Sequence, residues 1–348
     1  MERYHCRTDL PVLLIYNIDP SWSLEDIEFC QAETRVLRDA LIEVGHPLQE
    51  SCIQSEGLET ILQVFRPEEY VVFNWCEELP GVQHSGYRAA EILDRMGFTY
   101  TGADTQALIL SQDKRQIKRL LQLQGIPTPT WQVFTSTQTV QRERFPAIVK
   151  PAFEHSGIGI SRQSIVQSDE ELNQRIQFVL DELRQPAIVE DFIDGREFHI
   201  GVVGNDVLTA LPAAEIDYSR FKDIHDRLCT YEANFDKTSL AYQLTIPSLP
   251  AELTEGELSQ LEEIVLAAYR ATACRDYARL DVRLQDGIFY VLDVNHNADI
   301  SSDNSLVKGA ALVGLSYGQL GSLLINLAAQ RHPVWGSVRC GNERISDT

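Results

Sequence analysis

The chain has 348 residues, of which 44% are apolar and 23% charged, values typical of folded protein that exclude a largely disordered chain. The length predicts two or three domains. Acidic residues outnumber basic ones by 51 to 30, so the formal net charge is −21. A chain this acidic repels phosphate backbones and anionic lipid, and we therefore expect neither a nucleic-acid nor a membrane partner.

Seven cysteines are spread along the chain without a Cys-x-x-Cys pair. An odd number with no metal-binding spacing indicates reduced thiols, and it favours a cytoplasmic protein over a disulfide framework or a zinc site. Residues 309–330 carry no charge, but polar residues interrupt them and leucines recur on one helical face. We therefore predict a C-terminal helix docked on the protein rather than a membrane span.

The first hundred residues alternate between strand and helix signals. A strand is predicted at 11–17, a helix capped by Ser23 continues to about 44, and a second strand and helix follow at 70–73 and 86–96. Such alternation predicts a parallel α/β layer, and we expect it to form an N-terminal domain over residues 1–110.

Two further domains are predicted after it. A helix at 111–123, strands at 147–151 and 187–190 and a helix at 170–183 would form a central domain over residues 111–195. A C-terminal domain over residues 196–348 would contain strands, a helix at 255–274, a hairpin and the last helices. Residues 217–245 have mixed charge and no clear period, which predicts a long loop of the kind that often covers an active site.

The register of the hairpin at 279–295 decides which side chains share a face. Asp286-Gly287 marks a tight turn. A two-residue loop would pair Leu284 with Phe289 and place Asp293 among the apolar residues, whereas a three-residue loop would pair Leu284 with Ile288. Burying an unpaired carboxylate is costly, so we predict the three-residue loop.

In that register Arg279 lies opposite Asp293, and Asp281 and Asn295 lie two residues along on the same side. Two carboxylates and an amide oxygen on one sheet face suit Mg²⁺, which also takes phosphate oxygens and water. An arginine beside them could hold a phosphate or a developing oxyanion. The pattern alone also fits a solvated sheet face with an Arg279–Asp293 ion pair.

Three other segments are candidates for binding a nucleotide. Lys150 ends an apolar strand, and the glycine-containing run at 154–160 after it could fold over phosphates, although it matches neither a P-loop nor a Rossmann fingerprint. Lys114 at a helix start is a second cation. The strand-to-turn segment at 188–197 could offer its backbone to a purine and an acid to a ribose. Taken one at a time, these segments also fit a plain turn, a surface lysine and an acidic turn.

The order of these motifs resembles the ATP-grasp superfamily and, within it, the D-alanine–D-alanine ligase group, over about residues 73–331. The motifs are Lys114, Lys150-Pro151, Glu154-x-Ser156-x-x-Gly159, Val189-Glu190 to Gly195-x-Glu197, Arg279-x-Asp281 and Asp293-x-Asn295. The resemblance implies an α/β and α+β fold, in which an N-terminal parallel α/β domain precedes two domains that sandwich ATP between antiparallel sheets. It also implies a ligase that joins a carboxylate to an amine through an acyl-phosphate.

The resemblance assigns roles to individual residues. The expected nucleotide ligands are Lys114 and Lys150 for the phosphates, Glu190 with Asp191, Phe192 and Ile193 for adenine, and Glu197 for the ribose. Ser156 and Gly157 would close over the triphosphate, with Ser156 also expected to be catalytic, and Arg279 would stabilise the oxyanion. Two Mg²⁺ ions would be held by Asp281, Asp293 and Asn295, and the amine substrate would be met by Asp299, Ser305 and Leu306.

The departures from the family pattern lie on the substrate side. The N-terminal Gly-Gly-x-Ser-x-Glu signature is absent, Asn74-Trp75-Cys76-Glu77-Glu78 replaces a His-Gly stretch, and Ala298-Asp299 replaces Pro-Gly. In the long loop Asn234 and Phe235 replace a lysine and a tyrosine. We therefore expect a small amino acid as the amine and an acid other than D-alanine, as in ligases that act on mycosporine-glycine. D-alanine–D-alanine ligation, a non-catalytic ATP-binding module, an acidic scaffold without a nucleotide site, and a homodimer remain open.

Overall fold

Three sheets, formed by successive parts of the chain, organise the fold. The structure is a computed structural model, and it describes residues 6–54, 57–136, 139–155, 157–230, 239 and 247–336. The first sheet is parallel, and the second and third are antiparallel. This arrangement confirms the predicted fold class.

The first sheet has the strand order β2-β1-β3-β4, and helices pack around it. Its strands are β1 (Val12–Asn17), β2 (Leu48–Ile53), β3 (Val71–Trp75) and β4 (Thr99–Tyr100), and its helices are α1 (Leu24–Glu43), α2 (Leu58–Leu62), α3 (Gly86–Arg95) and α4 (Thr105–Ser111). Ser23 caps α1 as predicted, because its side chain accepts a hydrogen bond from the Asp26 N–H. Alternate residues of β1 enter two separate cores, as a parallel strand covered on both faces requires.

The second sheet lies between residues 131 and 191 and has the order β5-β8-β6-β7. It consists of β5 (Trp131–Phe134), β6 (Ala147–Pro151), β7 (Ile165–Val166) and β8 (Ala187–Asp191), and α6 (Asp169–Asp181) packs on one face. The helix predicted at 111–123 is α5 (Lys114–Leu123) and begins later, because the Asp113 side chain caps it by accepting from the Arg115 N–H.

The third sheet carries the hairpin. Its strands are β9 (Arg196–Gly204), β10 (Leu208–Ala210), β11 (Ala214–Ile216), β12 (Pro247–Ser248), β13 (Tyr277–Gln285) and β14 (Ile288–His296), in the order β12-β11-β9-β13-β14 with β10 on β9. Helix α7 (Glu255–Ala271) covers one face and forms a core with it. The opposite face is left for the polar residues of β9, β13 and β14.

The last two helices, α8 (Ser305–Leu312) and α9 (Tyr317–Ala329), return to the first sheet. Leu320 and Leu324 of α9 join Val12 and Leu14 of β1 in one core. The uncharged C-terminal stretch therefore docks as predicted, and it completes the N-terminal layer. The domain limits at residues 110 and 195 stay a prediction.

No single helix in the described part of the chain is long and apolar enough to cross a membrane. Only the α8–α9 pair, bent by 99°, passes such a test, and it does so only by the length and composition of both helices together.

The predicted three-residue loop of the hairpin is wrong. Gln285 pairs with Ile288 and Leu284 with Phe289, so the loop is the two residues Asp286 and Gly287. Both have positive φ, 52° and 77°, as a type I′ turn requires, and Asp-Gly is a preferred sequence for that turn.

A β-bulge further along the hairpin keeps the acids out of the core. Val282 pairs with Val291 while Asp281 pairs with Asp293, so Leu292 is one extra residue in β14. The bulge shifts the side-chain alternation by one position, so Asp293 shares a face with Asp281. The expected Arg279–Asp293 pair is therefore wrong as well, because Arg279 lies opposite Asn295.

Candidate active site

A cleft between the second and third sheets gathers most of the side chains that the sequence analysis singled out. It contains about 950 Å³ of space free of protein atoms, with the open solvent at its mouth included. The predicted residues that line it are Lys114, Lys150, Gly157, Glu190, Asp191, Phe192, Ile193, Glu197, Arg279, Asp281, Asp293 and Asn295. Ser156 lies outside the described residues, as do Asn234 and Phe235 of the long loop.

The two carboxylates of the hairpin that line the cleft are each paired with a cation. Lys114 Nζ lies 2.5 Å from Asp293 Oδ2, and Arg279 donates to both oxygens of Asp281 at 2.8 and 3.1 Å. Burial alone would raise the pKa of Asp293, but the Lys114 charge outweighs it and holds that pKa well below its usual value. Likewise burial lowers the pKa of Arg279, and Asp281 more than reverses the shift. Asp293 is therefore ionised and Arg279 protonated near neutral pH.

The same face offers a donor set for a divalent cation. Asp281 and Asp293 lie directly opposite one another, and Asn295 Nδ2 donates to Asp281 Oδ2 at 2.9 Å. No three Asp, Glu, His or Cys side chains converge as a metal-binding group in the described ranges. Two carboxylates and an amide fit Mg²⁺, because that ion is commonly held by one or two carboxylates and completes its shell with water and phosphate.

A buried carboxylate forms another part of the cleft wall. Glu190 is 1% exposed, with Oε2 3.0 Å from Lys150 Nζ and Oε1 3.4 Å from Lys118 Nζ. Oε1 makes no hydrogen bond within the described part of the chain. Burial would raise the pKa of Glu190, but the two lysines lower it overall. The result is an ionised acceptor with unused capacity at the cleft wall, which fits a ligand that donates a hydrogen bond.

The hinge, which is the segment from Asp191 to Gly195 at the end of β8, already uses two of its backbone donors within the protein. The Asp191 carboxylate accepts a hydrogen bond from Arg142. The N–H groups of Asp191 and Phe192 donate to Thr130 O at 2.9 Å and to Pro146 O at 3.0 Å, so these two donors are used within the protein.

Sequence reasoning missed Lys118. Its side chain is almost completely buried, and Nζ donates to Thr128 Oγ1 at 2.9 Å as well as facing Glu190. Burial lowers the pKa of Lys118 to about 8, although Glu190 opposes the shift. The signal was available, since Lys118 follows Lys114 by four residues on α5 and therefore lies on the same helical face.

Two further residues without an assigned role surround Glu197. Arg283 Nε donates to Glu197 Oε2 at 2.7 Å, and His199 Nε2 lies 3.3 Å from Glu197 Oε1. Burial would raise the pKa of Glu197, but Arg283 and then His199 lower it to about 2. Strand alternation places Arg283 on the same polar face as Asp281, and it could have identified His199 in the same way, because His199 follows Glu197 by two residues.

The three residues expected to meet the amine are not among those that line the cleft. Asp299 accepts hydrogen bonds from Ser301 N and Oγ at 2.8 and 2.6 Å, Ser305 begins α8, and Leu306 is 1% exposed within the core. Glu77, at the departure from the family pattern, is exposed, and its N–H donates to Asn17 Oδ1 at 3.0 Å. The roles of Asp299, Ser305 and Leu306 stay predictions.

Comparisons with known proteins agree with this geometry. The family model of the D-ala D-ala ligase C-terminus matches residues 120–326. A D-alanine–D-alanine ligase of Aquifex aeolicus is 31% identical over 298 residues, which cover 84% of this chain and 92% of that protein. An uncharacterised protein of Sinorhizobium fredii is 31% identical over 302 residues, covering 84% of this chain and 86% of that protein.

A solved structure shares the fold. The crystal structure of D-alanine–D-alanine ligase from Bacillus anthracis complexed with ATP gives a TM-score of 0.69 at 20% identity, over 92% of this chain and 98% of that one. The architecture and the cleft between two antiparallel sheets define an ATP-grasp enzyme. The chain belongs to the D-alanine–D-alanine ligase family, and it is an ATP-dependent ligase that forms carbon–nitrogen bonds.

Proposed function

We propose that this ligase joins the carboxylate of a small molecule to the amino group of a small amino acid, with ATP and Mg²⁺, through an acyl-phosphate. The observation that carries the proposal is the shared cleft, which is lined by the Asp281–Asp293 face and Arg279 as well as by Glu190 and Glu197. The first group suits a charged triphosphate with its metal, and the two glutamates suit a nucleoside. The cysteine pattern supports a cytoplasmic setting.

The nucleoside would be held by buried acceptors and the hinge. Glu190 Oε1 would accept a hydrogen bond from the adenine amino group, and the Ile193 N–H would donate to the ring. Glu197 would accept from the ribose hydroxyls. Lys150, which pairs with Glu190 at 3.0 Å, would reach the phosphates from the same strand that leads into the glycine-containing run.

The triphosphate end would work by exchange of partners. Asp281, Asp293 and Asn295 would hold Mg²⁺, which when bound neutralises phosphate charge and orients the γ-phosphoryl group. Lys114 would leave Asp293 for a phosphate oxygen, and its charge would then stabilise the same group. Arg279 stays beside Asp281 and supplies donors to the oxyanion that develops when the amine attacks.

The chemistry has two steps. An oxygen of the substrate carboxylate attacks the γ-phosphorus, the bond to the β–γ bridging oxygen breaks, and ADP leaves with that bond's electron pair. The substrate amine, after losing a proton to solvent, then attacks the acyl carbon; the carbon–oxygen bond to phosphate breaks, the nitrogen loses a second proton to solvent, and the products are an amide and inorganic phosphate. The protein's part is to align the reactants and neutralise charge.

The acid substrate is proposed to differ from D-alanine. Glu77 stands where the family has a His-Gly stretch, and an exposed acidic side chain is a different neighbour for a substrate. D-alanine–D-alanine ligation is the second candidate, because relatives of that name cover most of this chain.

A panel of acid and amine pairs tests these proposals. ADP and phosphate release should require one particular pair, and Arg279→Ala should lower kcat by roughly 10²–10³-fold while ATP binding measured by calorimetry persists. Arg95→Ala, which removes an exposed arginine paired with Glu59, is the control and should match the wild type. Undiminished turnover in Arg279→Ala would rule out the proposed mechanism, and ATP binding without turnover on any pair would favour the non-catalytic module.

A further inference from the structure

One arginine on the cleft wall connects three separate segments of the chain. The Arg283 side chain is 4% exposed, and its guanidinium donates from Nε to Glu197 Oε2 at 2.7 Å, from Nη1 to Ile193 O at 2.8 Å and from Nη2 to Arg227 O at 2.7 Å. Each nitrogen of the group thus has an acceptor on a different element. Only a planar fork with several fixed N–H directions can serve all three acceptors at once.

Aromatic rings flank the same guanidinium. Its Cζ atom lies 4.9 Å from the ring centroid of Phe192 and 5.2 Å from that of Tyr218. The hinge is brought this close because residue 195 is glycine, since a Cβ there would lie 2.0 Å from the Leu284 carbonyl oxygen. The hinge, the ribose-side acid and segment 217–230 are therefore fixed relative to one another through one side chain.

The arginine leaves Glu197 able to bind a ligand. A carboxylate has about four acceptor positions, and Arg283 and His199 use one on each oxygen. The remaining positions could accept two hydroxyl groups. Because a buried side chain held at both oxygens cannot rotate freely, a ligand would not have to order it on binding.

We propose that Arg283 is a positioning residue for the ribose of ATP: it holds the Glu197 carboxylate and the hinge in the geometry that recognises the two ribose hydroxyls. This inference rests on the proposed function of the cleft. Arg283 itself need not touch the nucleotide. Its contribution is to make hydroxyl recognition available before ATP arrives.

The test compares ATP with 2′,3′-dideoxy-ATP, which lacks both hydroxyls. The wild type should prefer ATP by tenfold or more in Kd, as expected for hydrogen bonds to a charged acceptor. In Arg283→Met the preference should fall to less than threefold, KM for ATP should rise, and kcat at saturating ATP should change little. A purely structural role would weaken both nucleotides equally and leave their ratio unchanged.

The matched control is Arg196→Met, on the neighbouring strand. Arg196 makes a two-pronged ion pair with Glu215, with both hydrogen bonds at 2.7 Å, and it does not line the cleft. The control should keep the wild-type preference for ATP. Circular dichroism establishes that each variant is folded, and if Arg283→Met does not fold, Arg283→Lys replaces it and should also lose the preference.

The possible outcomes distinguish the proposed function of the cleft from the proposed role of Arg283. A wild type that binds neither nucleotide would overturn the proposed function. A wild type that prefers ATP, together with a folded Arg283 variant that keeps the same preference, would overturn only the role of Arg283.

Discussion

The charged side chains of the cleft are paired with one another: Lys114 with Asp293, Arg279 with Asp281, and Arg283 with Glu197. A buried carboxylate or guanidinium left without a partner is costly, so these pairs lower the cost of keeping charges in place before a ligand binds. Binding of the phosphates beside Asp293 would then replace one ionic partner of Lys114 with another, and no unpaired charge would have to be buried. At the ribose end, the Glu197 pair would persist through binding.

The Arg283–Glu197 ion pair predicts a particular pH dependence of the protein's stability. Glu197 has a pKa of about 2 against an ordinary 4.5, so the folded state favours its ionised form. The pair therefore stabilises the fold fully above pH 4.5, and that stabilisation is lost as the pH falls from 4.5 towards 2. The free energy of unfolding of the wild type should exceed that of Glu197→Gln at pH 6, and the difference should shrink across this range.

Urea titrations of both proteins between pH 6 and pH 3 measure this difference. Glu215→Gln, which removes the partner of the partly exposed Arg196, is the control and should show a smaller and flatter difference. A gap between wild type and Glu197→Gln that stays constant down to pH 3 would contradict the assigned cause.

At the scale of elements, the β13–β14 hairpin decides the site. Its two-residue turn fixes one register, and its single extra residue, Leu292, shifts the next part of β14 by one position. The core therefore receives Phe289 and Val291, and the cleft receives Asp293. The hairpin thus keeps its two-residue turn and also buries apolar side chains in the core, without burying an unpaired carboxylate.

Deleting Leu292 should therefore abolish the site. Without the bulge, a hairpin that keeps its turn would direct Asp293 and Asn295 towards α7, and burial of that carboxylate would cost several kcal/mol. We expect a large fall in melting temperature and no MgATP binding by calorimetry. Leu292→Ala keeps the residue count and should retain both the fold and the binding. Normal MgATP binding by the deletion variant would show that the bulge is dispensable.

The hairpin also shows what a sequence can and cannot predict. The alternation of residues 279, 281 and 283 identifies a polar face, and the acids do lie there. A prediction that considers only regular, uninterrupted pairing gives the wrong loop length. The bulge allows the two-residue turn that Asp286-Gly287 prefers, and it also keeps Asp293 out of the core. A bulge has no local signal at Leu292, since its position depends on which residues the facing strand and α7 can accommodate.

The partners of the buried cations are the second feature that the sequence does not predict. Lys118 looks like a surface residue in a sequence, and alternation places Arg283 on the polar face without naming its partner; only the fold brings Glu190 and Glu197 to them. The architecture is easier to predict from the sequence than these partners are, because strand and helix periods and the order of the charged motifs can be read along the chain. The predicted docking of the C-terminal helix followed in the same way from a leucine repeat and a lack of charge.

At the scale of the whole molecule, one buried acid joins the first sheet to the third. Asp276 is fully buried, and it accepts hydrogen bonds from Gly102 N at 2.8 Å, from Asn205 Nδ2 at 2.9 Å and from Arg331 at 2.7 and 2.8 Å. These donors come from the end of the N-terminal layer, from the loop after β9 and from the residues after α9. This group therefore contributes to the relative placement of the sheets, together with the core that they share.

Asp276→Asn should destabilise the fold by about 3 kcal/mol, the usual cost of breaking a buried ion pair. Asparagine tolerates the positive φ of 64° at this position, so the change removes the charge without straining the backbone. Thermal and urea unfolding measure the effect, and Asp286→Asn, at the exposed turn with a similar φ of 52°, is the control. A loss below 1 kcal/mol would show that Arg331 contributes little.

The position of α9 has a consequence for how the protein is synthesised. Val12 and Leu14 leave the ribosome early, but the leucines that cover them follow about 300 residues later, which at 5–20 residues per second is roughly 15–60 seconds. During that time the apolar residues of β1 that pack against α9 remain without their native partners. Production of this enzyme should therefore benefit from chaperones that shield emerging polypeptide, and fragments ending before α9 should aggregate rather than mature.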